Sequence, residues 1–190
     1  MEIIENRALL LKVRNPDRIT TVIPKSKVLS DDGEIAEVLV NWDLEESIVL
    51  KNLKIKDVPS PINATYKWPG LYKPFAHQKV TASFLTMNRK SFCFNEQGTG
   101  KTGSVIWASD YLMSKGVIKR VLVICPLSIM DSAWRNDLFK LAMHRRVDVA
   151  YGKPEKRRAI ITGDAEYVII NYDGVEIVAN AIIKGNFDLI

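Results

Sequence analysis

One stretch, "SFCFNEQGTGKTGSVIWASDYLMSKG" at residues 91–116, constrains the fold more than any other. A short apolar segment, Ser91 to Phe94, runs into a turn carrying Gly98 and Gly100. Val105, Ile106, Ser109, Leu112 and Met113 then keep helical spacing until Gly116 stops it. The pattern predicts strand, glycine-bearing loop and helix in that order. Two glycines let the backbone wrap close to an anion, so that N–H groups at a helix N-terminus point at phosphate oxygens. Lys101 would reach the β- and γ-phosphates and the Thr102 hydroxyl would ligate Mg²⁺. The match to G-x-x-x-x-G-K-[ST] departs at its first position, which is Asn95.

The rest of the chain supplies a setting for such a loop. From Phe75 onward helix and strand patterns alternate: helix 75–88, strand 91–95, helix 101–115, strand 120–125, helix 129–143, strand 147–151, helix 154–162, strand 167–171, helix 174–184. Alternation of this kind predicts a parallel sheet covered by helices. Before residue 57 the pattern is strand-like, with "ALLLKV", "ITTVI", "KVL", "IAEVLVNW" and "SIVLKNL" separated by turns at Asn15-Pro16-Asp17 and Asp31-Asp32-Gly33. A small β unit over 1–56, a proline-rich linker over 57–73, marked by Pro59, Pro61, Pro69 and Pro74, and an α/β lobe over 74–190 are therefore expected.

Charge separates the two parts. Residues 1–66 carry nine Lys/Arg against eleven Asp/Glu, and residues 67–190 carry eighteen against eleven, so an anionic partner is expected at the second part. The opening "MEIIENRALLLKVR" has too short an apolar run for a signal or a membrane span, and an intracellular protein is expected, cytoplasmic if bacterial or phage-encoded. Cys93 and Cys125 lie in apolar runs without a Cys or His at metal spacing, and read as buried strand thiols.

At this point a resemblance emerges. "NEQGTGKT" resembles motif I of superfamily-two helicases, especially Swi/Snf-type DNA translocases, and "KPFAHQKVTASFL" resembles their adenine-reading segment, with Gln78 ahead of the loop. An amide suits that task because its carbonyl and NH₂ can pair with adenine N6 and N7 together. "RVLVICPLSIMDSAWRNDLFK" resembles motif Ia, which lines the nucleic-acid path, and "VDVAYGKPEKRRAII" the strand, glycine turn and basic helix that follow. The resemblance implies a RecA-like lobe that binds ATP with Mg²⁺ through Gln78, Glu96, Gln97, Gly98, Thr99, Gly100, Lys101, Thr102 and Gly103, with Lys101 and Thr102 in the catalytic role. It implies nucleic-acid contacts, to DNA or RNA, at Ser128, Lys153, Arg157 and Arg158.

Other readings stay open for several of these residues. Ser128-x-x-Asp131 also fits a helix capping box, and Trp134 fits a core position. A charge run such as "KPEKRR" is by default a solvated face. In "GNFDLI", Phe187, Leu189 and Ile190 read as the opening of a strand. In the resembled family such a start leads to an Asp-Glu acid pair, and a second RecA-like lobe supplies arginines to the γ-phosphate. The expectation is a portion of a longer ATP-dependent helicase or translocase, itself inactive in hydrolysis. The alternatives are a P-loop ATPase or kinase that does not act on nucleic acid, and a non-enzymatic nucleotide- or DNA-binding module.

Overall fold

Strands β2 (Ala8–Val13) and β4 (Ala36–Asn41) pair antiparallel with Leu9 opposite Val40 and Leu11 opposite Val38, and all four side chains are at most 2% exposed. Alternate residues of a strand share one face, so this register places an apolar face on one side of the sheet. β1 (Glu2–Ile4) and β3 (Lys27–Asp31) flank the pair in the order β1-β2-β4-β3. β3 is exposed throughout, and a bulge between Val28 and Ser30 breaks its register with β4, a common device for blunting an edge strand. Ile19, Ile23, Trp42 and Leu50 complete this core.

Two segments that read as strands here are helical. "ITTVI" contributes to α1 (Asp17–Thr20), whose entry is set by Pro16 at φ −66°. "SIVLKNL" lies within α2 (Leu44–Asn52), where Asp43 caps the N-terminus by accepting from the Leu44 N–H at 2.7 Å. Leu44, Ser47 and Leu50, three residues apart, form its buried face. The cap and this spacing outweigh the β-branched Ile48 and Val49.

The computed structural model describes all 190 residues and divides them into two units, Met1–Tyr66 with Ser83–Lys90, and Lys67–Ala82 with Ser91–Ile190. Within the first, the proline-rich segment is tied into structure. The Trp42 indole N–H donates to the Pro59 carbonyl at 3.0 Å, the Ser60 and Thr86 hydroxyls bond at 2.8 Å, and Ile62 of α3 (Ile62–Thr65) is fully buried.

The second unit is built on a parallel sheet, β5 (Val121–Cys125), β7 (Tyr167–Asn171) and β6 (Val147–Val149) in that order. β7 is central and buried at all five residues, as a strand covered on both faces must be. The expected architecture, a parallel sheet with helices and a small antiparallel β unit before it, is present. Leu189 forms a parallel bridge to Val121, with the Leu122 N–H donating to the Leu189 carbonyl at 2.9 Å, so "GNFDLI" does begin to pair as a strand.

Helices α4 (Ala76–Thr86), α5 (Lys101–Ser114) and α7 (Pro154–Ile161) lie near their expected positions, whereas the expected helix 174–184 is two, α8 (Tyr172–Ile177) and α9 (Ala179–Lys184), broken at Val178, whose φ of −126° leaves the helical range. The expected helix 129–143 is three pieces: a 3₁₀ turn Leu127–Ile129, a π-helical stretch Met130–Arg135, and α6 (Asn136–Leu141). Strand 147–151 is shortened to β6 because the Tyr151 N–H turns back to the Val149 carbonyl at 2.9 Å. Ser91–Asn95 forms no strand, and Phe92 and Phe94 are 80% and 88% exposed, their rings stacked at 5.6 Å. Apolar composition favours a strand only where a neighbouring backbone accepts its hydrogen bonds, and none pairs with this segment. Cys93 is accordingly half-buried outside any strand, whereas Cys125 is a buried strand thiol.

Trp68 to Leu71 packs against α5 and α6. The Trp107 indole N–H donates to the Pro69 carbonyl at 3.1 Å and the Leu71 N–H to the Lys140 carbonyl at 2.8 Å. Gly70, at φ +104°, approaches so closely that a Cβ there would lie 2.5 Å from the Leu141 Cα.

An ionic cluster around the buried Asp110 ties α5 to the segments that lead into β6 and β7. Asp110, 2% exposed, accepts from Arg145 Nε at 2.6 Å and His144 Nε2 at 2.9 Å, while Arg145 Nη1 reaches Glu166 Oε1 at 2.7 Å. Burial works against the Arg145 charge, but Asp110 and Glu166 outweigh it and raise its pKa. Glu166 is held below its ordinary range, burial again opposing, because the Arg146 backbone N–H and the Arg145 side chain favour the carboxylate. Beside the cluster the Tyr167 hydroxyl, bonded to Ser109 at 2.8 Å, is pushed well up by burial.

Candidate functional site

The loop before α5 has the backbone that an anion site needs. Gly98 and Gly100 have φ of +76° and +72°, and Gly100 is the N-cap residue of α5. No side chain caps this N-terminus. The amides of Lys101, Thr102 and Gly103 lie ahead of the first intrahelical bond, Ser104 N–H to the Gly100 carbonyl, and so have no acceptor within α5. A 14-residue helix therefore presents its positive end and several N–H donors at the loop. Gly103 is buried and closely packed, since a Cβ there would lie 3.2 Å from the Leu141 side chain and 3.3 Å from the Trp107 ring.

Side chains hold the loop from several directions. Lys101 Nζ donates to the carbonyls of Asn95 at 2.9 Å and Glu96 at 2.7 Å, so the ammonium sits over the loop. Asn95, the position that departs from the general pattern, donates its Nδ2 to Thr81 Oγ1 of α4 at 2.9 Å. An amide there ties the loop entrance to α4, which glycine would not do. The Thr99 hydroxyl donates to the Glu96 carbonyl at 2.8 Å.

Gln78 lies at this loop, as its sequence distance suggested, and is 9% exposed. Its Oε1 accepts from the Phe75 N–H at 2.9 Å, while Nε2 lies 3.4 Å from the carbonyls of both Thr99 and Gly100. The carboxamide here faces the loop. His77 lies 3.0 Å from the Thr99 carbonyl through Nε2, a contact the sequence reading missed.

The residues expected at nucleic acid separate into two groups. Ser128 follows β5 and Lys153 follows β6, so both lie beyond the carboxyl ends of parallel strands, the edge where open α/β sheets bind ligands. Both are exposed. Ser128 sits inside a 3₁₀ turn, and no side chain caps that turn or the π-helical stretch after it, so the alternative capping box is not formed. Trp134 is half-buried beside Met130 and Leu138, which are 1% and 0% exposed. Arg158 is exposed and lies 4.0 Å from Glu155.

Arg157 is a correction. It is 6% exposed, donating from Nε to the Gly152 carbonyl at 2.9 Å and from Nη1 to the Ala150 carbonyl at 3.0 Å and Asn171 Oδ1 at 2.8 Å. Its guanidinium is spent on joining the segment after β6 to the last residue of β7, with the Tyr151 ring 5.4 Å away, and it is not presented to a phosphate. The signal was present: Arg157 stands four residues before Ile161, itself fully buried, on the inward face of α7.

No group of His, Cys, Asp and Glu is placed to hold a metal ion, and no helix is long and apolar enough to cross a membrane. Neither a protein-family model nor a curated protein matches the chain. Among solved structures, the Sulfolobus solfataricus SWI2/SNF2 ATPase core in complex with dsDNA is similar at 26% identity and a TM-score of 0.48. That similarity covers 56% of this chain and 23% of the other.

Proposed function

We propose that the chain is the ATP-binding portion of an ATP-dependent DNA helicase or translocase, its second unit a RecA-like lobe. The observation that carries this reading is the uncapped N-terminus of α5, where two left-handed glycines and the Lys101 ammonium converge on one short loop. The amides of Gly98 to Gly103 would hold phosphate oxygens, and Lys101 would leave the Asn95 and Glu96 carbonyls for the β- and γ-phosphates. The residues present fit Mg²⁺ only in part: Thr102 offers one hydroxyl ligand. When bound, Mg²⁺ would neutralise charge on the phosphates. Hydrolysis also needs a carboxylate to position water and an arginine for the γ-phosphate. The acid pair of the resembled family has no counterpart in these residues, so this chain is proposed to hold ATP without turning it over.

Gln78 would read the base. Its 3.4 Å contacts to two loop carbonyls are long for hydrogen bonds and are readily exchanged for the adenine edge. ATP should bind more tightly than GTP by about 1–3 kcal/mol, the range for amide–adenine pairs on DNA, in calorimetric titrations. Equal affinities would remove Gln78 from the base and leave the loop in place.

Nucleic acid would meet the basic second unit along the edge carrying Ser128, Lys153 and Arg158, mainly through phosphates. Binding is expected to be weak, insensitive to sequence and steeply salt-dependent. By fluorescence anisotropy, Lys153→Ala should lower the slope of log affinity against log salt by about one, the amount for a single phosphate contact. An unchanged slope would take Lys153 off the path.

A further inference from the structure

We infer that His77 is a positioning residue for the phosphate loop, acting through its hydrogen bond to Thr99 rather than through the nucleotide base. This rests on the nucleotide reading of the loop and deepens it. The Thr99 carbonyl can only accept, so the His77 Nε2 at 3.0 Å carries the proton and donates it. The ring is held by stacking on Phe75, with centroids 5.8 Å apart and planes 12° from parallel. Its own backbone carbonyl accepts from the Thr81 hydroxyl at 2.9 Å, and Thr81 in turn accepts from Asn95 at the loop entrance.

His77 therefore stands on a short run of α4 that holds both ends of the loop. Thr81 anchors the entrance at Asn95, and His77 anchors the far side at Thr99, immediately before the left-handed Gly100. Gln78 reaches the same carbonyl only at 3.4 Å, its amide lying where a Cβ at Gly100 would fall, 2.1 Å away. The shorter bond is that of His77. Orienting the Thr99 carbonyl away from the anion turns the following N–H groups toward it, because carbonyl and amide of one peptide unit point in opposite directions. With the bond lost, the loop must be ordered at the moment of binding, and affinity falls for any ligand that uses the phosphates.

The test compares three probes, Mg·ATP, Mg·GTP and inorganic tripolyphosphate with Mg²⁺, by calorimetric titration of the whole chain. His77→Phe keeps a ring to stack on Phe75 and removes the donor; His77→Gln keeps a donor. The phenylalanine variant should bind all three probes about three- to tenfold more weakly, the worth of one hydrogen bond, and the glutamine variant should recover most of that loss. Wild-type affinity for tripolyphosphate in His77→Phe would overturn the inference, whether or not ATP binding changes, because the residue would then act at the base or not at all. A wild-type chain that binds none of the probes would overturn the nucleotide reading itself and this inference with it.

Discussion

Replacing Lys101 by alanine is expected to remove measurable Mg·ATP binding while leaving the unfolding transition of the chain unchanged. The ammonium donates to two loop carbonyls, those of Asn95 and Glu96, in an exposed setting, so its loss costs the fold little. Toward the ligand the balance is different. A cation facing phosphate oxygens in a partly dehydrated loop makes a charge-assisted contact, and removing one partner of such a pair costs about 2–5 kcal/mol. A loss of that size takes a weakly held nucleotide beyond the range of calorimetry. Thermal denaturation with and without Mg·ATP gives a second readout: the wild type should be stabilised by the ligand and Lys101→Ala should not. Equal stabilisation of both would place the nucleotide elsewhere.

Asp110→Ala should have the largest effect on stability. Asp110 is 2% exposed and accepts from both Arg145 and His144, so the substitution strips the half-buried Arg145 of one of its two carboxylates. Breaking a fully buried pair from one side costs about 3–5 kcal/mol, and a remaining charge that keeps some solvent, as Arg145 does, costs less. The lower end is expected here, since Glu166 Oε1 still lies 2.7 Å from Arg145. Urea denaturation followed by tryptophan fluorescence measures the loss. The same cluster gives a pH dependence of known sign. Glu166 has its pKa lowered in the fold, so its contribution is present above the ordinary carboxylate range and is lost as pH falls through the folded value.

Much of this architecture is legible locally. β5, β7 and α5 announce themselves through apolar runs and helical spacing, and the glycines at 98 and 100 take the positive φ that glycine adopts at no steric cost. What the sequence does not carry is set by neighbours. Ser91–Asn95 has strand composition but no partner, and an extended segment becomes a strand only in company. α2 contains a β-branched pair that reads as strand until Asp43 is seen to cap it. Arg157 looked like its neighbours in "KPEKRR", and only its place on the inward face of α7 sets it apart. At the loop, the distance from Gly98 singled out Gln78 as a candidate and the motif marked Asn95 as its one departure, whereas His77 and Thr81 escaped notice. Their importance lies in hydrogen bonds between α4 and the loop that no periodicity encodes.

Whether the loop before α5 holds nucleotide phosphates can be read from backbone amide resonances of the isotopically labelled chain as Mg·ATP is added. Saturable shifts are expected at Gly98, Gly100, Lys101, Thr102 and Gly103, whose N–H groups would donate to the phosphates, and should be absent in Lys101→Ala. Amides that stay unmoved at these five positions while the nucleotide binds elsewhere, or not at all, would contradict a phosphate site in this loop.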